Sequence, residues 1–172
     1  CTPSDENETR KLLTTAYLHN GPASVRYPRG TGPNSNINKN LQPVKIGEAN
    51  IIKEENSKIV VLNFGTLLEE AKQVSKDLKA TLVDMRFVKP LDEKLLKKLF
   101  KKAEVFISIE DGSIMGGAGS AVQEFVSKED LNIKSILFGI PDRFIEHASR
   151  EEMLSEAGLD INSIKSRLNK LL

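Results

Sequence analysis

Cysteine and histidine are nearly missing from this chain: 172 residues hold one cysteine, Cys1, and two histidines, His19 and His147. A single thiol excludes a disulfide framework and a thiolate metal site, and two distant histidines do not suggest a metal cluster. Charge of one sign is missing too. Twenty-five basic residues against 24 acidic ones leave a formal charge of +1. Such a balance gives no strong field to recruit nucleic acid or an anionic membrane. No apolar run approaches the ~18 residues of a membrane span, and no signal peptide is visible, so a cytoplasmic location is expected. The cluster Lys97, Lys98, Lys101 and Lys102 falls on a helix whose other face is apolar, and reads as a solvated face. The chain opens on Cys1 rather than Met, directly before a helix cap, and is expected to be a piece of a longer protein.

What remains is the composition of an ordinary globular domain, 39% hydrophobic and 28% charged. Thr2-Pro3-Ser4-Asp5 predicts a helix start, with Thr2 as cap, and a helix running to about His19 before Asn20-Gly21-Pro22 stops it. Ala23–Tyr27 predicts a short strand ended by Pro28-Arg29-Gly30. From Thr31 to Gln42 the chain turns to Gly, Pro, Asn and Ser, a linker composition. The expected division is a first unit at residues 1–30, a linker at 31–45 and a complete unit at 46–172. The first unit, one helix and one strand, is too small to fold alone and is expected to find its partners upstream.

The second unit alternates strands and helices. Strands are expected at Ile46–Lys53, Ile59–Phe64, Thr81–Met85, Val105–Ile109 and Ile133–Ile140. A capping box at Thr66 and Glu69 should open the helix that carries Leu67, Leu68, Ala71, Val74 and Leu78. Asp92 should cap the next helix inside a Leu91–Leu96 hydrophobic staple, and Ser149 with Glu152 should cap a later one. The pattern predicts an α/β fold, a mostly parallel sheet with helices on both faces. The first strand, joined to the second by a hairpin-length turn, is expected to be antiparallel.

The densest feature is Glu104–Val126: a buried strand, the acids Glu110 and Asp111, the glycines 112, 116, 117 and 119, then an apolar helical face. A strand running through glycines into a helix N-terminus is the usual architecture of an anion site. The run lacks the G-x-G-x-x-G spacing, the acid on the next strand that would hold a ribose, and the Lys-Ser/Thr ending of a P-loop. The glycines therefore read first as close helix–sheet packing, and the acids as caps of the turn or as an interdomain surface. Asp84 and Arg86, ending the neighbouring strand, could pair with those acids or serve an interface. Ser113, Ser120 and His147 lack the G-x-S-x-G elbow of a hydrolase. In Val25-Arg26-Tyr27-Pro28-Arg29-Gly30, a guanidinium held on a stiffened exit can grip a phosphate, or either arginine can make an ordinary salt bridge.

Six segments in register, TPSDENETRKLL, NGPASVRYPRG, LNFGTLLEEA, TLVDMRFVKPLDEKLL, EDGSIMGGAGSAV and FGIPDRFIEHASREEM, carry a resemblance across nearly the whole chain. The sequence resembles the C-terminal part of the 1-deoxy-D-xylulose-5-phosphate synthases, thiamine-diphosphate enzymes of the transketolase superfamily. That resemblance implies that residues 1–30 finish a pyrimidine-binding domain, as a helix–strand remnant. It implies that 46–172 form a transketolase C-terminal-like three-layer sandwich with one antiparallel strand. The implied reaction is decarboxylation of pyruvate and addition to D-glyceraldehyde 3-phosphate, feeding isoprenoid, thiamine and pyridoxal phosphate synthesis. The implied site residue is Arg26, holding the acceptor's phosphate. Thiamine diphosphate, Mg²⁺ and the catalytic residues would belong to upstream domains of the same protein, in a homodimer. The fragment alone would bind no cofactor and be inactive. A non-catalytic assembly or regulatory module on the same fold is the alternative.

Overall fold

In the computed structural model, residues 1–33, 36–40 and 42–172 are described; positions 34, 35 and 41 of the expected linker lie outside the described residues. In chain order the elements are α1 (Glu6–Leu18), β1 (Asn50–Lys53), β2 (Ile59–Phe64), α2 (Leu68–Leu78), β3 (Thr81–Asp84), α3 (Glu93–Phe100), β4 (Val105–Ser113), α4 (Ala118–Lys128), β5 (Lys134–Ile140), α5 (Arg150–Glu156) and α6 (Ile161–Leu171).

The sheet order is β1-β3-β2-β4-β5. β3, β2, β4 and β5 run parallel, because α2, α3 and α4 cross over between consecutive strands from β2 to β5. β1 is antiparallel as expected, but its partner is β3 at the sheet edge (Asn50↔Asp84, Ile51↔Val83) and not β2. The turn after β1 is hairpin-length, yet both sides of β2 are already taken by β3 and β4.

The near-continuous apolar runs of β2 and β4 follow from burial on both faces. Val61, Ile107 and Ile109 face α2 and α6, packing with Ala71, Val74 and Ile164. Val60, Leu62 and Phe106 face the other way, against Leu96, Phe100, Val122 and Phe125 of α3 and α4. Two cores, one sheet between them, make the three-layer sandwich.

The caps decide several boundaries. Asp92 accepts from the Leu95 amide at 3.0 Å, with Leu96 fully buried and Leu91 packed beside it, the staple the sequence predicts. Ser149 and Glu152 form their capping box. Thr66 does not cap α2, which starts from Leu67 with no side-chain cap; its hydroxyl donates to Asp111 Oδ2 at 2.9 Å instead. Thr2 does not cap α1 either. Asp5 does, accepting from the Glu8 amide, while the Thr2 amide donates to the Arg86 carbonyl at 2.7 Å. The predicted strand at Ala23–Tyr27 is not part of a sheet. It is an extended run whose backbone bonds go to Cys1: Cys1 N to Ser24 O at 2.7 Å and Arg26 N to Cys1 O at 2.9 Å.

Candidate functional site

The first thirty residues lie across the carboxyl ends of the parallel strands, where α/β sheets place their sites. Two polar networks attach them there. Arg86 grips Glu8 of α1 bidentately, Nε to Oε2 at 2.7 Å and Nη2 to Oε1 at 3.0 Å, and Lys11 adds a third bond at 2.8 Å. Burial alone would raise the Glu8 pKa, but the Arg86 and Lys11 contacts outweigh it and hold the carboxyl below its ordinary range. Arg86 sits at φ +58, a left-handed backbone that turns its side chain back toward α1. Beside it the Ser4 hydroxyl donates to Asp84 Oδ2 at 2.6 Å, and Asn63 Nδ2 lies 3.4 Å from Oδ1. Burial pushes the Asp84 pKa up to about 6, with the Glu8 charge adding to it and the Ser4 and Asn63 bonds opposing. Asp84 and Arg86 therefore serve the interface with α1 and do not pair with Glu110 or Asp111.

Those two acids separate onto opposite sides of β4, as adjacent strand residues must. They do not end the strand, which continues to Ser113 because a register shift against β5 after Ile109 restores pairing at Ser113↔Ile140. Asp111 accepts from Thr66 and lies 3.6 Å from Arg150. Glu110 is buried, and its two oxygens accept the Ala118 and Gly119 amides at 2.8 Å each. The N-terminus of α4, the site the glycines suggested for an anion, is filled by the protein's own carboxylate. Burial raises the Glu110 pKa, against the two amide bonds and the charge of Arg26.

The glycines make this possible. A Cβ at Gly117 would lie 2.0 Å from the Ser113 carbonyl oxygen and 2.5 Å from Glu110 Oε2; one at Gly119 would lie 2.4 Å from Ser108 Oγ. The close-packing reading of the sequence is the right one for these two positions.

Arg26 is exposed, and among the described residues its guanidinium makes no hydrogen bond or ion pair. It lines a cleft of about 610 Å³ between α1, the Pro22–Arg26 run and the β4–α4 turn, shared with His19, Phe87, Pro90 and Glu110. A volume of this order suits a small-molecule ligand. Structure thus brings together the two features the sequence left apart, the arginine before the linker and the glycine turn after it. An acid at the end of a buried strand, eight residues before a glycine-led helix, is the signal that could have found Glu110 as the turn's anchor. Nothing in the sequence signals Ser4 as the partner of Asp84. Ser113 and Ser120 both donate to backbone carbonyls, of Met115 and Ile114, and His147 is exposed in a separate loop. No nucleophile–base pair forms there.

The family profile described as "Transketolase, C-terminal domain" matches residues 47–164. The chain belongs to the transketolase family. Over 171 residues it is 51% identical to the 1-deoxy-D-xylulose-5-phosphate synthase of Pseudomonas paraeruginosa (strain DSM 24068 / PA7), covering 99% of this chain and 27% of that protein. It is 52% identical over 171 residues to the synthase of Stutzerimonas stutzeri (strain A1501), with the same shares. The chain therefore spans about a quarter of the length of the curated relatives it matches. A solved structure described as "Split gene transketolase, inactive beta4 tetramer" superposes with a TM-score of 0.78 at 26% identity, covering 98% of this chain and 56% of that one. The likeness to the synthases takes in the Arg26 segment as well as the transketolase C-terminal domain.

The glycine-led N-terminus of α4 is taken up by Glu110, and among the described residues no group of three or more His, Cys, Asp or Glu could hold a metal ion. Among the described residues, no helix is long and apolar enough to cross a membrane.

Proposed function

We propose that this chain is the C-terminal part of a 1-deoxy-D-xylulose-5-phosphate synthase, in which Arg26 binds the phosphate of the acceptor aldehyde. The observation that carries the reading is identity of about half along the whole chain to such synthases, Arg26 segment included. The reaction joins the two-carbon unit left by decarboxylation of pyruvate to D-glyceraldehyde 3-phosphate. Thiamine diphosphate with Mg²⁺ supplies the electron sink for that carbon, and on this reading is held by upstream domains. The residues of this chain bind and orient. Arg26 presents an exposed guanidinium with five donors, matched to a phosphate by geometry and charge. Residues 1–30 complete the pyrimidine-binding domain, 31–45 link it to the domain at 46–172, and the whole works as a cytoplasmic homodimer. The fragment by itself is inactive, a reading supported by the neighbour described as an inactive assembly of a split transketolase.

The test is Arg26→Ala in the intact synthase. Loss of a charge-assisted hydrogen bond of ~1.5–3 kcal/mol corresponds to a KM for D-glyceraldehyde 3-phosphate raised about ten- to a hundredfold. The KM for unphosphorylated D-glyceraldehyde should stay within about twofold. Equal changes for both acceptors refute the phosphate role.

A further inference from the structure

Arg26 and Glu110 flank Gly112 with no ion pair between them, close enough for the Arg26 charge to bear on the Glu110 carboxyl. A Cβ built on Gly112 would lie 2.8 Å from Arg26 Nη1 and 3.0 Å from Glu110 Oε2. The missing side chain is what lets the guanidinium lie against β4. Glu110 cannot follow a moving partner: both its oxygens are held by backbone amides, and Gly117 and Gly119 close around it, with built Cβ atoms 2.5 and 3.3 Å from its oxygens. It is a fixed negative charge in a shaped seat. Arg26 is anchored separately at its backbone, through its amide bond to Cys1. Between the two anchors lies only the flexible part of the arginine, whose rotamer entropy would otherwise be lost when an anion binds. The other acid near the segment, Asp111, is engaged by Thr66 and Arg150.

We propose that Glu110 is the positioning residue of Arg26, holding the guanidinium over Gly112 with its donors unspent and directed to the cleft. The transketolase C-terminal domain thereby takes part in acceptor binding without touching the acceptor. The proposal rests on the phosphate reading of Arg26. It also gives the glycine turn a role: its glycines make the seat for the carboxylate, and Gly112 makes room for the cation.

The experiment compares the acceptors D-glyceraldehyde 3-phosphate and D-glyceraldehyde in the intact synthase, for Glu110→Gln, Gly112→Ala, Arg26→Ala and the Arg26→Ala/Glu110→Gln double variant. Glu110→Gln removes the charge at nearly constant shape and gives up one of the two backbone amide bonds, because its NH2 group cannot accept. Gly112→Ala leaves the charge and pushes Arg26 Nη1, the far end of a flexible chain, out of its place. Each should raise the KM for the phosphorylated acceptor about tenfold, ~1.4 kcal/mol, with kcat and the KM for D-glyceraldehyde kept within about twofold. With Arg26 already removed, Glu110→Gln should add nothing to the KM for the phosphorylated acceptor. The proposal is overturned if Arg26→Ala removes the phosphate preference while Gly112→Ala and Glu110→Gln leave it intact. It is equally overturned if they raise both KM values alike, or if Glu110→Gln lowers the KM for the phosphorylated acceptor, which would make Glu110 a competitor. Should Glu110→Gln fail to fold, Gly112→Ala decides alone. A phosphate preference that survives Arg26→Ala would instead refute the reading on which the proposal stands.

Discussion

Replacing Arg86 by Met removes the guanidinium that binds Glu8 of α1 to the end of β3, and its cost can be worked from the structure. The Glu8 and Arg86 side chains are 8% and 12% exposed, so the pair is shielded from water on both sides. Deleting one partner of a buried pair costs about 3–5 kcal/mol, mostly because the other charge is left without compensation. Here Lys11 stays on Glu8 Oε1, with its own side chain 34% exposed, and lowers the penalty. The Thr2 amide bond to the residue-86 carbonyl is unaffected by the side chain. Methionine is chosen over glycine because glycine would relieve the left-handed backbone at this position and hide part of the loss. The expected loss is about 2–3 kcal/mol at pH 7, a fall in Tm of about 5–10 °C for a chain of this size. Urea denaturation gives the first number and calorimetry the second. A cycle with Glu8→Gln should show coupling, the double variant being more stable than the sum of the singles predicts. Hydrogen exchange should show α1 losing protection before β2 and β4 do. A loss under about 1 kcal/mol for Arg86→Met, or no coupling in the cycle, would refute a buried latch.

The neighbouring carboxyl predicts an unusual pH dependence. Asp84 has its pKa raised to about 6 by burial, so its contribution to stability is complete below the ordinary carboxyl range and is lost as pH rises through 6. The wild-type chain should gain about 1 kcal/mol between pH 7 and pH 5 relative to Asp84→Asn, measured by urea denaturation at both pH values. A difference that shrinks to nothing or reverses would show Asp84 to be ionised throughout. Glu8 runs the other way, its contribution persisting until the pH falls below its ordinary range. In the glycine turn two substitutions should separate contact from backbone strain. Gly117→Ala puts a methyl 2.0 Å from a carbonyl oxygen and should cost about 3 kcal/mol. Gly116→Ala meets nothing within 4 Å and should cost only the ~1 kcal/mol of its φ of +68. Equal losses in urea would refute the packing account.

The fold was legible because each layer left an independent mark. Apolar runs at Ile59–Phe64 and Val105–Ile109 report burial on two faces, and Asp92, Ser149 and Glu152 announce helix starts by local chemistry alone. The misreadings share one cause. Thr2 and Thr66 are as good caps by sequence as Asp92, but their backbone or hydroxyl bonds are claimed by residues far along the chain: Arg86 for Thr2, Asp111 for Thr66. Local propensity has no access to such competitors. The same holds for β1, whose turn says antiparallel but cannot say against which strand.

The site was legible in its parts and not in its assembly. Arg26 stands out by its pre-proline setting, and Glu110 by its place between a buried strand and a run of glycines. Their meeting depends on the chain doubling back after the linker, which only tertiary contacts specify. The Asn7 side chain bonds the Asn36 carbonyl and the Asn38 amide, and Thr15 bonds the Val44 backbone, so the return path is laid along α1. Arg86 and Asp84 then fix α1 on the strand ends, and the Cys1 bonds fix the Arg26 run beside it. A linker composition announces freedom. Here the backbone at Asn36, Asn38 and Val44 spends its hydrogen bonds on Asn7 and Thr15 of α1, the same helix beside which Arg26 is held.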